Sequence, residues 1–148
     1  NLRCATRLAQ WAYLPSTARG LPPYHAGDCG LLPESDGHLR KTRDVLIDLG
    51  GIAKGYAVDV AIAALQQAGI TSACVNAGGD VRVLGTTPFA IAIRDPATIT
   101  GSSVTVDLAN AALATSATYF SARQLGSQQV SALIDGRSGQ ALTSMRSV

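Results

Sequence analysis

The chain has 148 residues, of which 47% are hydrophobic and 15% are charged, and its formal net charge is +2. This composition supplies enough apolar material for one core, and it excludes both a disordered chain and a strongly basic nucleic-acid binder. No run approaches the roughly 20 apolar residues that a membrane span needs. We therefore predict one globular domain over residues 1–148, with no membrane span and no nucleic-acid partner.

The cysteines and histidines give no firm metal signature. Cys4, Cys29 and Cys74 have no short paired spacing, which favours plain buried or half-buried thiols over a disulfide framework or a zinc knuckle. A metal site built from His25, Cys29 and His38 stays open, although their spacing is more typical of a solvated loop.

The first part of the chain is predicted to contain a helix, a long loop and a strand. Apolar residues at helical spacing predict a short helix over Leu2–Tyr13, which Pro15 stops. Residues Pro15–Gly37 contain so many prolines and glycines that we predict a long loop without regular structure. The apolar run Asp44–Leu49 predicts a buried strand.

A second helix is predicted over Tyr56–Ala68, ended by Gly69 as its C-terminal cap. Its apolar face is predicted to consist of Ala57, Val60, Ala61, Ala64, Leu65 and Ala68. On this boundary Asp59 lies in the first turn, where the helix dipole alone explains a carboxylate.

Short apolar segments bounded by turn residues predict a run of strands: Thr71–Val75, Val81–Leu84, Phe89–Arg94, Val104–Leu108 and Ala111–Thr115. They follow one another with no room for crossover helices, so an antiparallel meander is favoured over a parallel doubly wound sheet. The predicted fold class is α+β, a mostly antiparallel sheet with a few packed helices.

The last part of the chain carries a turn and a short strand. An apolar pair precedes a turn with two glycines in Ala132–Gly139, and Arg146–Val148 is predicted to begin a strand.

The segment DLGGIAKGYAVD, residues 48–59, has the chemistry of a phosphate-holding turn. Glycines allow a ligand to approach the backbone closely, and the N-terminus of the following helix favours an anion. Lys54 could reach the same anion, and Asp48 could accept hydrogen bonds from a ribose or a ring. The segment matches neither the GxGxxG fingerprint nor a Walker loop, and many structural turns carry glycine, so alone it is weak evidence.

A second glycine turn, Asn76–Asp80, follows about 20 residues later and could bring more backbone amides and a carboxylate to the same ligand. The two turns, followed by Ala114–Tyr119 and Leu133–Gly139, resemble in order and spacing the FAD:protein FMN transferases, the ApbE family. The resemblance implies an ApbE-like α+β domain that binds FAD, uses Mg²⁺ to split its pyrophosphate, and transfers FMN to a threonine of a target protein.

The resemblance also implies a set of site residues. Gly51 would bind Mg²⁺ through its backbone carbonyl. The residues implied for flavin-nucleotide binding are Asp48, Lys54, Asn76, Gly78, Gly79, Asp80, Thr115, Ser116 and Ile134.

Departures from the family pattern leave alternatives open. Ala132 stands where the family has a histidine, and Ala117 replaces a glycine. The chain lacks the family's N-terminal strands, and Val148 precedes the segment that supplies an aspartate and a threonine to the metal, so the domain is expected to be incomplete at both ends. A degenerate relative that binds FAD or another nucleotide without turnover is one alternative. A structural, partner-binding α+β module is another. The resemblance favours the periplasm, or an inner-membrane lipoprotein, of a bacterium.

Overall fold

A computed structural model of the protein describes residues 5–15, 20–24, 30–98 and 101–144. The chain is divided into two compact units, one formed by Asn1–Leu49 with Phe120–Ser144 and the other by Gly50–Tyr119. The single-domain assignment stays a prediction. The elements are α1 (Ala5–Gln10), β1 (Leu31–Pro33), β2 (Leu39–Lys41), α2 (Ala53–Gln67), β3 (Ala73–Ala77), β4 (Asp80–Leu84), β5 (Phe89–Arg94), β6 (Ser102–Leu108), β7 (Ala112–Ala114), β8 (Arg123–Leu125) and β9 (Gln128–Val130).

In the first unit, the predicted N-terminal helix is present as α1, but it ends at Gln10 rather than at Tyr13. Pro15 therefore does not stop it, since Ala12 already has a φ of +56°. Its buried residues are Ala5, Thr6, Leu8 and Ala9. Trp11, just after the helix, is also buried. Leu2 to Cys4, the start of the predicted helix, lie outside the described residues. The apolar side chains at helical spacing therefore predict this element correctly, since they form a short helix with one buried side.

The prediction of a structureless loop from Pro15 to Gly37 is wrong at its end. Strand β1 pairs antiparallel with β2, with Leu31 opposite Lys41. A five-residue turn joins the strands, and in it the Gly37 N–H donates to the Glu34 carbonyl, while Gly37 itself has a φ of +83°. Here the glycine closes a hairpin rather than preventing one. Residues 16–19 and 25–29 of the predicted loop lie outside the described residues.

The prediction of a buried strand over Asp44–Leu49 is also wrong. The segment forms no strand, and Ile47 and Leu49 are exposed. A short apolar run is compatible with a half-buried irregular segment as well as with a core strand. The spacing of its apolar residues does not distinguish these two structures.

The first unit contains a further hairpin that the sequence analysis did not predict. Strands β8 and β9 pair antiparallel, and the two residues between them include Gly126 with a φ of +60°. A Gly-Ser pair between two short strands is a recognised hairpin signal, which could have indicated this element. The predicted turn near Gly139 is present, since Gly139 N–H donates to the carbonyl of Asp135 and Ile134 bridges to Ala141.

In the second unit, α2 begins at Ala53, three residues before the predicted start. Its end is as predicted, because the Gly69 N–H donates to Gln66 O and the Ile70 N–H donates to Leu65 O. These two bonds form a Schellman motif around Gly69, whose φ is +81°.

The predicted apolar face of α2 is wrong. The buried side chains are Val58 and Ile62, whereas Val60 is half exposed. Apolar residues surround almost the whole helix in the sequence, so the spacing alone does not single out the face that packs.

All five strands predicted after α2 are present with small shifts at their ends, and they confirm the α+β fold class. The sheet order is β3-β4-β7, and β5 pairs with β6. Every pairing among these strands is antiparallel. The simple meander is wrong in one respect, because the β5–β6 hairpin is inserted between β4 and its neighbour β7.

The two faces of strand β4 in the second unit have different surroundings. Val81 and Val83 of β4 are buried with Leu108, and Phe89, Ile91 and Leu113 pack against them. Side chains alternate along a strand, so Asp80 and Arg82 point to the opposite face. Helix α2 packs against β3 and β4 and carries the ion-pair partners of both residues.

Among the described residues, no helix is both long enough and apolar enough to cross a membrane.

Candidate functional site

The turn between β3 and β4 is built by Gly78 and Gly79. Ala77 and Asp80 are paired across it, which leaves two residues in the loop. Their φ angles are +64° and +99°, so both central positions are left-handed, as a type I′ hairpin turn requires. The Gly79 N–H donates to the Asn76 side-chain oxygen at 3.1 Å. Hairpin geometry therefore accounts for both glycines, and the Asn76 side chain stabilises the turn.

Lys54 joins the start of α2 to this turn. Its Nζ lies 3.1 Å from the carbonyl oxygen of Gly78 and 3.2 Å from Asp80 Oδ1. The Lys54 side chain is 46% exposed, and that of Asp80 is 18% exposed. An ammonium group has three N–H donors, and these two contacts use two of them. Lys54 can thus hold the turn and still offer one donor to a ligand from solvent.

Thr115, directly after β7, fixes the turn between β3 and β4. Its backbone N–H and its hydroxyl both donate to the Gly79 carbonyl, at 3.0 and 3.3 Å. The approach is close enough that a Cβ on Gly79 would lie 2.7 Å from Thr115 Oγ1. A side chain at position 79 would therefore displace Thr115, and glycine is required there for space as well as for φ.

The first turn of α2 adds anion-binding potential beside Lys54. Its N-cap is Ile52, which makes no side-chain capping hydrogen bond, and the turn contains no acidic residue. The N-terminal amides and the positive end of the helix dipole therefore face no compensating carboxylate from within that turn. Such amides favour an anion, but the Asp80 carboxylate already lies 3.2 Å from the Lys54 ammonium and 3.6 Å from the position of a Cβ on Gly55 in this turn.

One turn further along α2, Asp59 accepts a 3.3 Å hydrogen bond from Arg82 of β4. The interpretation of Asp59 as a first-turn carboxylate is wrong, because α2 starts earlier than predicted and Asp59 lies in its second turn. No role was predicted for this pair. The signal that could have revealed it is a basic residue two positions after Asp80 in the strand and an acidic residue five positions after Lys54 in the helix.

The structure thus groups six of the predicted binding residues in the second unit: Lys54, Asn76, Gly78, Gly79, Asp80 and Thr115. Gly51 and Ser116 belong to the same unit and are exposed. Asp48 and Ile134 belong to the first unit, where Asp48 lies within the Asp44–Leu49 segment and Ile134 forms the bridge to Ala141. The roles of all these residues remain predictions.

The residues that the structure describes do not form a complete metal site. Among them, no three histidine, cysteine, aspartate or glutamate side chains come together. Mg²⁺ prefers near-octahedral oxygen coordination, to which Gly51 would contribute one carbonyl. His25 and Cys29, proposed with His38 as a possible metal site, lie outside the described residues, as does Cys4. Cys74 is a free thiol, but it is exposed rather than buried.

In the first unit, the turn after Ile134 is organised by Asp135. Its carboxylate accepts hydrogen bonds from the Arg137 backbone N–H at 3.0 Å and from the Ser138 hydroxyl at 2.8 Å. These donors, the Arg137 N–H first, hold the pKa of Asp135 below its ordinary value. Ala132, just before the turn, donates its N–H to Ser121 Oγ at 3.2 Å.

Comparison with known proteins identifies relatives of one kind. A FAD:protein FMN transferase of Rhodobacter capsulatus is 54% identical over 55 residues, which cover 35% of this chain and 10% of the relative. A FAD:protein FMN transferase of Klebsiella pneumoniae (strain 342) is 29% identical over 105 residues, which cover 68% of this chain and 30% of the relative. The chain therefore spans less than a third of the length of either curated relative.

Two solved structures of other proteins have a fold similar to that of this chain. The crystal structure of an ApbE protein from Thermotoga maritima matches with a TM-score of 0.77 and 25% identity, over 95% of this chain and 50% of that one. The apo flavinyl transferase ApbE of Pseudomonas stutzeri matches with a TM-score of 0.60 and 28% identity, over 77% of this chain and 36% of that one.

The sequence model of the ApbE family matches residues 17–148, which include both glycine turns and the strands around them. The chain belongs to the ApbE family.

Proposed function

We propose that this chain is part of a flavin transferase, which cleaves FAD and transfers its FMN portion to a target protein. The curated relatives carry the name FAD:protein FMN transferase. The observation that carries the proposal here is the position of Lys54, which contacts Gly78 and Asp80 from the start of α2. One cation thereby connects the two glycine turns on which the family resemblance depends.

The proposed reaction is a displacement at phosphorus. The hydroxyl of a target threonine attacks the phosphorus on the FMN side of the pyrophosphate, the P–O–P bond breaks, and AMP leaves. The hydroxyl proton passes to solvent or to a base, and the product is an FMN phosphoester of the threonine. Lys54 and the α2 amides would hold the negative pyrophosphate in place and stabilise charge that develops on its oxygens.

We extend the proposal to Mg²⁺, with the Gly51 carbonyl as one ligand. When bound, this cation would neutralise charge on the pyrophosphate. The described residues do not complete its coordination, so the remaining oxygens would have to come from FAD and from other parts of the protein. If Mg²⁺ is required, removing divalent cations with EDTA should abolish AMP release by the intact protein, and adding Mg²⁺ should restore it.

The test of nucleotide binding is a titration of the intact protein with FAD, followed by flavin fluorescence. Lys54→Met removes the ammonium while keeping most of the side-chain length. A hydrogen bond to a charged group contributes about 1.5–3 kcal/mol, so we expect the dissociation constant for FAD to rise about 10- to 100-fold.

Lys41→Met is the matched control, because Lys41 is a half-exposed lysine of β2 whose Nζ lies 3.9 Å from the exposed Asp44 carboxylate. It should bind FAD as the unsubstituted protein does. Equal affinities of the Lys54→Met variant and the unsubstituted protein would contradict the role of Lys54.

A second candidate function is FAD binding without turnover. It is favoured by Ala132, which stands at the position of the family histidine and cannot donate or accept a proton through its side chain. AMP release and labelling of a threonine-containing target separate the two functions. Tight FAD binding with neither product would favour the binding protein, whereas stoichiometric AMP and a threonine-linked flavin would favour the transferase.

A further inference from the structure

Two ion pairs connect α2 to β4, and they have opposite polarity. At the first, the helix supplies the cation Lys54 and the strand supplies Asp80, with 3.2 Å between Nζ and Oδ1. At the second, the helix supplies the anion Asp59 and the strand supplies Arg82, with 3.3 Å between the charged atoms. Both pairs lie on the face of β4 that α2 covers.

The spacings on the two elements match. Five residues of helix rise by about 7.5 Å, and two residues of strand extend by about 6.8 Å. Lys54 and Asp59 therefore stand about as far apart along α2 as Asp80 and Arg82 stand along β4. Around the helix axis they lie about 140° apart, on either side of the buried Val58 and Ile62. Both pairs form at once only at one axial position of the helix.

The reversed polarity penalises one alternative placement of α2 in each direction. If α2 slid forward by the spacing of one pair and turned by about 140°, so that Lys54 took the place of Asp59, Lys54 would meet Arg82. The reverse movement would bring Asp59 to Asp80. Either shift replaces an attraction with a repulsion between like charges, in addition to the packing lost at Val58 and Ile62.

We infer that Asp59 and Arg82 are positioning residues, whose ion pair fixes the axial position of α2 and thereby keeps the Lys54 ammonium on Gly78 and Asp80 at the candidate site. They are not catalytic residues, since they act through Lys54. The consequence for ligand binding rests on the proposed function.

The size of the effect follows from exposure. The side chains of Arg82 and Asp59 are 40% and 60% exposed, so their pair is partly screened by water. We expect Asp59→Asn or Arg82→Gln to leave the protein folded and to weaken FAD binding about three- to fivefold. High salt should weaken FAD binding to the unsubstituted protein more than binding to either variant, because the variants have already lost the screened pair.

The experiment uses the intact protein and two readouts. The first is the NMR signal of the Lys54 side chain without any ligand, which reports directly on its contacts with Gly78 and Asp80. The second is the dissociation constant for FAD. Asp59→Asn and Arg82→Gln should move the Lys54 signal towards that of a solvated lysine and raise the dissociation constant. The matched control is Glu34→Gln, which breaks the exposed Arg40–Glu34 pair of the first unit and should change neither readout.

A double-mutant cycle separates positioning from a general loss of structure. In a Lys54→Met background, Asp59→Asn should cause no further loss of FAD affinity, because the group through which it acts is gone. Additive losses, or an unchanged Lys54 signal in both single variants, would overturn the inference. If the unsubstituted protein does not bind FAD, the proposed function fails, and the ligand-free Lys54 signal alone decides whether the pair positions this side chain.

Discussion

Gly79 combines two constraints in one residue. Its φ of +99° is unfavourable for any residue with a Cβ, and a Cβ there would lie 2.7 Å from Thr115 Oγ1. Gly79→Ala is therefore expected to lower the free energy of unfolding by about 2–4 kcal/mol, as the sum of backbone strain and displacement of Thr115. Chemical denaturation measures the loss.

Two comparisons separate these contributions. Gly69→Ala should cost only about 1 kcal/mol, because Gly69 has a φ of +81° but a Cβ there would meet nothing within 4 Å. Thr115→Ala removes the hydroxyl that Gly79→Ala would strike, so the glycine substitution should cost less in that background. Equal costs of Gly79→Ala and Gly69→Ala would show that the close approach of Thr115 does not matter.

Asp135 gives a prediction about pH. Its pKa is held low by the Arg137 N–H and the Ser138 hydroxyl, so the folded state favours the carboxylate. The stability that this carboxylate contributes is fully present above the ordinary pKa of about 3.9, and it is lost as the pH falls through the lowered pKa of the folded state. An NMR titration of the Asp135 carboxyl carbon should give a midpoint below that of aspartate in a peptide.

Ser138→Ala removes the Ser138 hydroxyl, which lowers the pKa of Asp135 less than the Arg137 N–H does. The substitution should therefore raise the pKa of Asp135 only part of the way to its ordinary value. Asp36 is an internal reference, because its pKa is lowered by His38 and does not depend on Ser138. A midpoint for Asp135 that is ordinary in the unsubstituted protein would contradict the hydrogen bonding described for this turn.

At the scale of elements, α1 of the first unit is held by groups from the segment that contains β8. The Arg123 guanidinium lies over the Tyr13 ring, 4.0 Å from its centroid, and donates to the Trp11 carbonyl after the end of α1. The Tyr13 hydroxyl donates to the Ser121 carbonyl. A cation near the C-terminal end of a helix also interacts favourably with the helix dipole.

Arg123→Ala is expected to lower the free energy of unfolding by about 1–2 kcal/mol, because it removes a cation–π contact and a charged hydrogen bond at a partly exposed position. Thermal and chemical denaturation measure it. Arg123→Lys keeps the charge but not the planar guanidinium, so it should recover only part of the loss. Full recovery by lysine would show that charge alone matters.

The elements differ in how well their sequences predict them. Phe89–Arg94 alternates large and small side chains and is a strand with those same ends, since one face meets the core. Asp44–Leu49 is also largely apolar but forms no strand, and Ile47 and Leu49 stay exposed. The difference lies in tertiary pairing, which a single segment does not encode. For α2, the C-terminal end was better predicted than the start or the buried face, because a glycine cap is a local signal. Which of the many apolar side chains become buried depends on packing against the sheet.

At the scale of the whole molecule, the sequence predicted the members of the candidate site better than their contacts. The spacing of the two glycine turns led to Lys54, Asn76 and Asp80, which the structure groups together. It did not predict that Lys54 would contact Asp80, or that Arg82 would pair with Asp59, because both contacts depend on how α2 lies on β4. Local sequence motifs thus indicate which residues belong to the site, whereas the packing between elements determines how these residues contact one another.

The insertion of β5 and β6 between β4 and β7 has a consequence for the order of folding. The β3–β4 hairpin, with its two-residue turn, is local and needs little chain closure, whereas Thr115 reaches Gly79 only after the chain has travelled through the whole β5–β6 hairpin. Closure of long loops costs more entropy and slows folding. During synthesis, the Gly78–Gly79 turn can therefore form well before Thr115 emerges to fix it, and the candidate site becomes rigid only when the last strand of its sheet is in place.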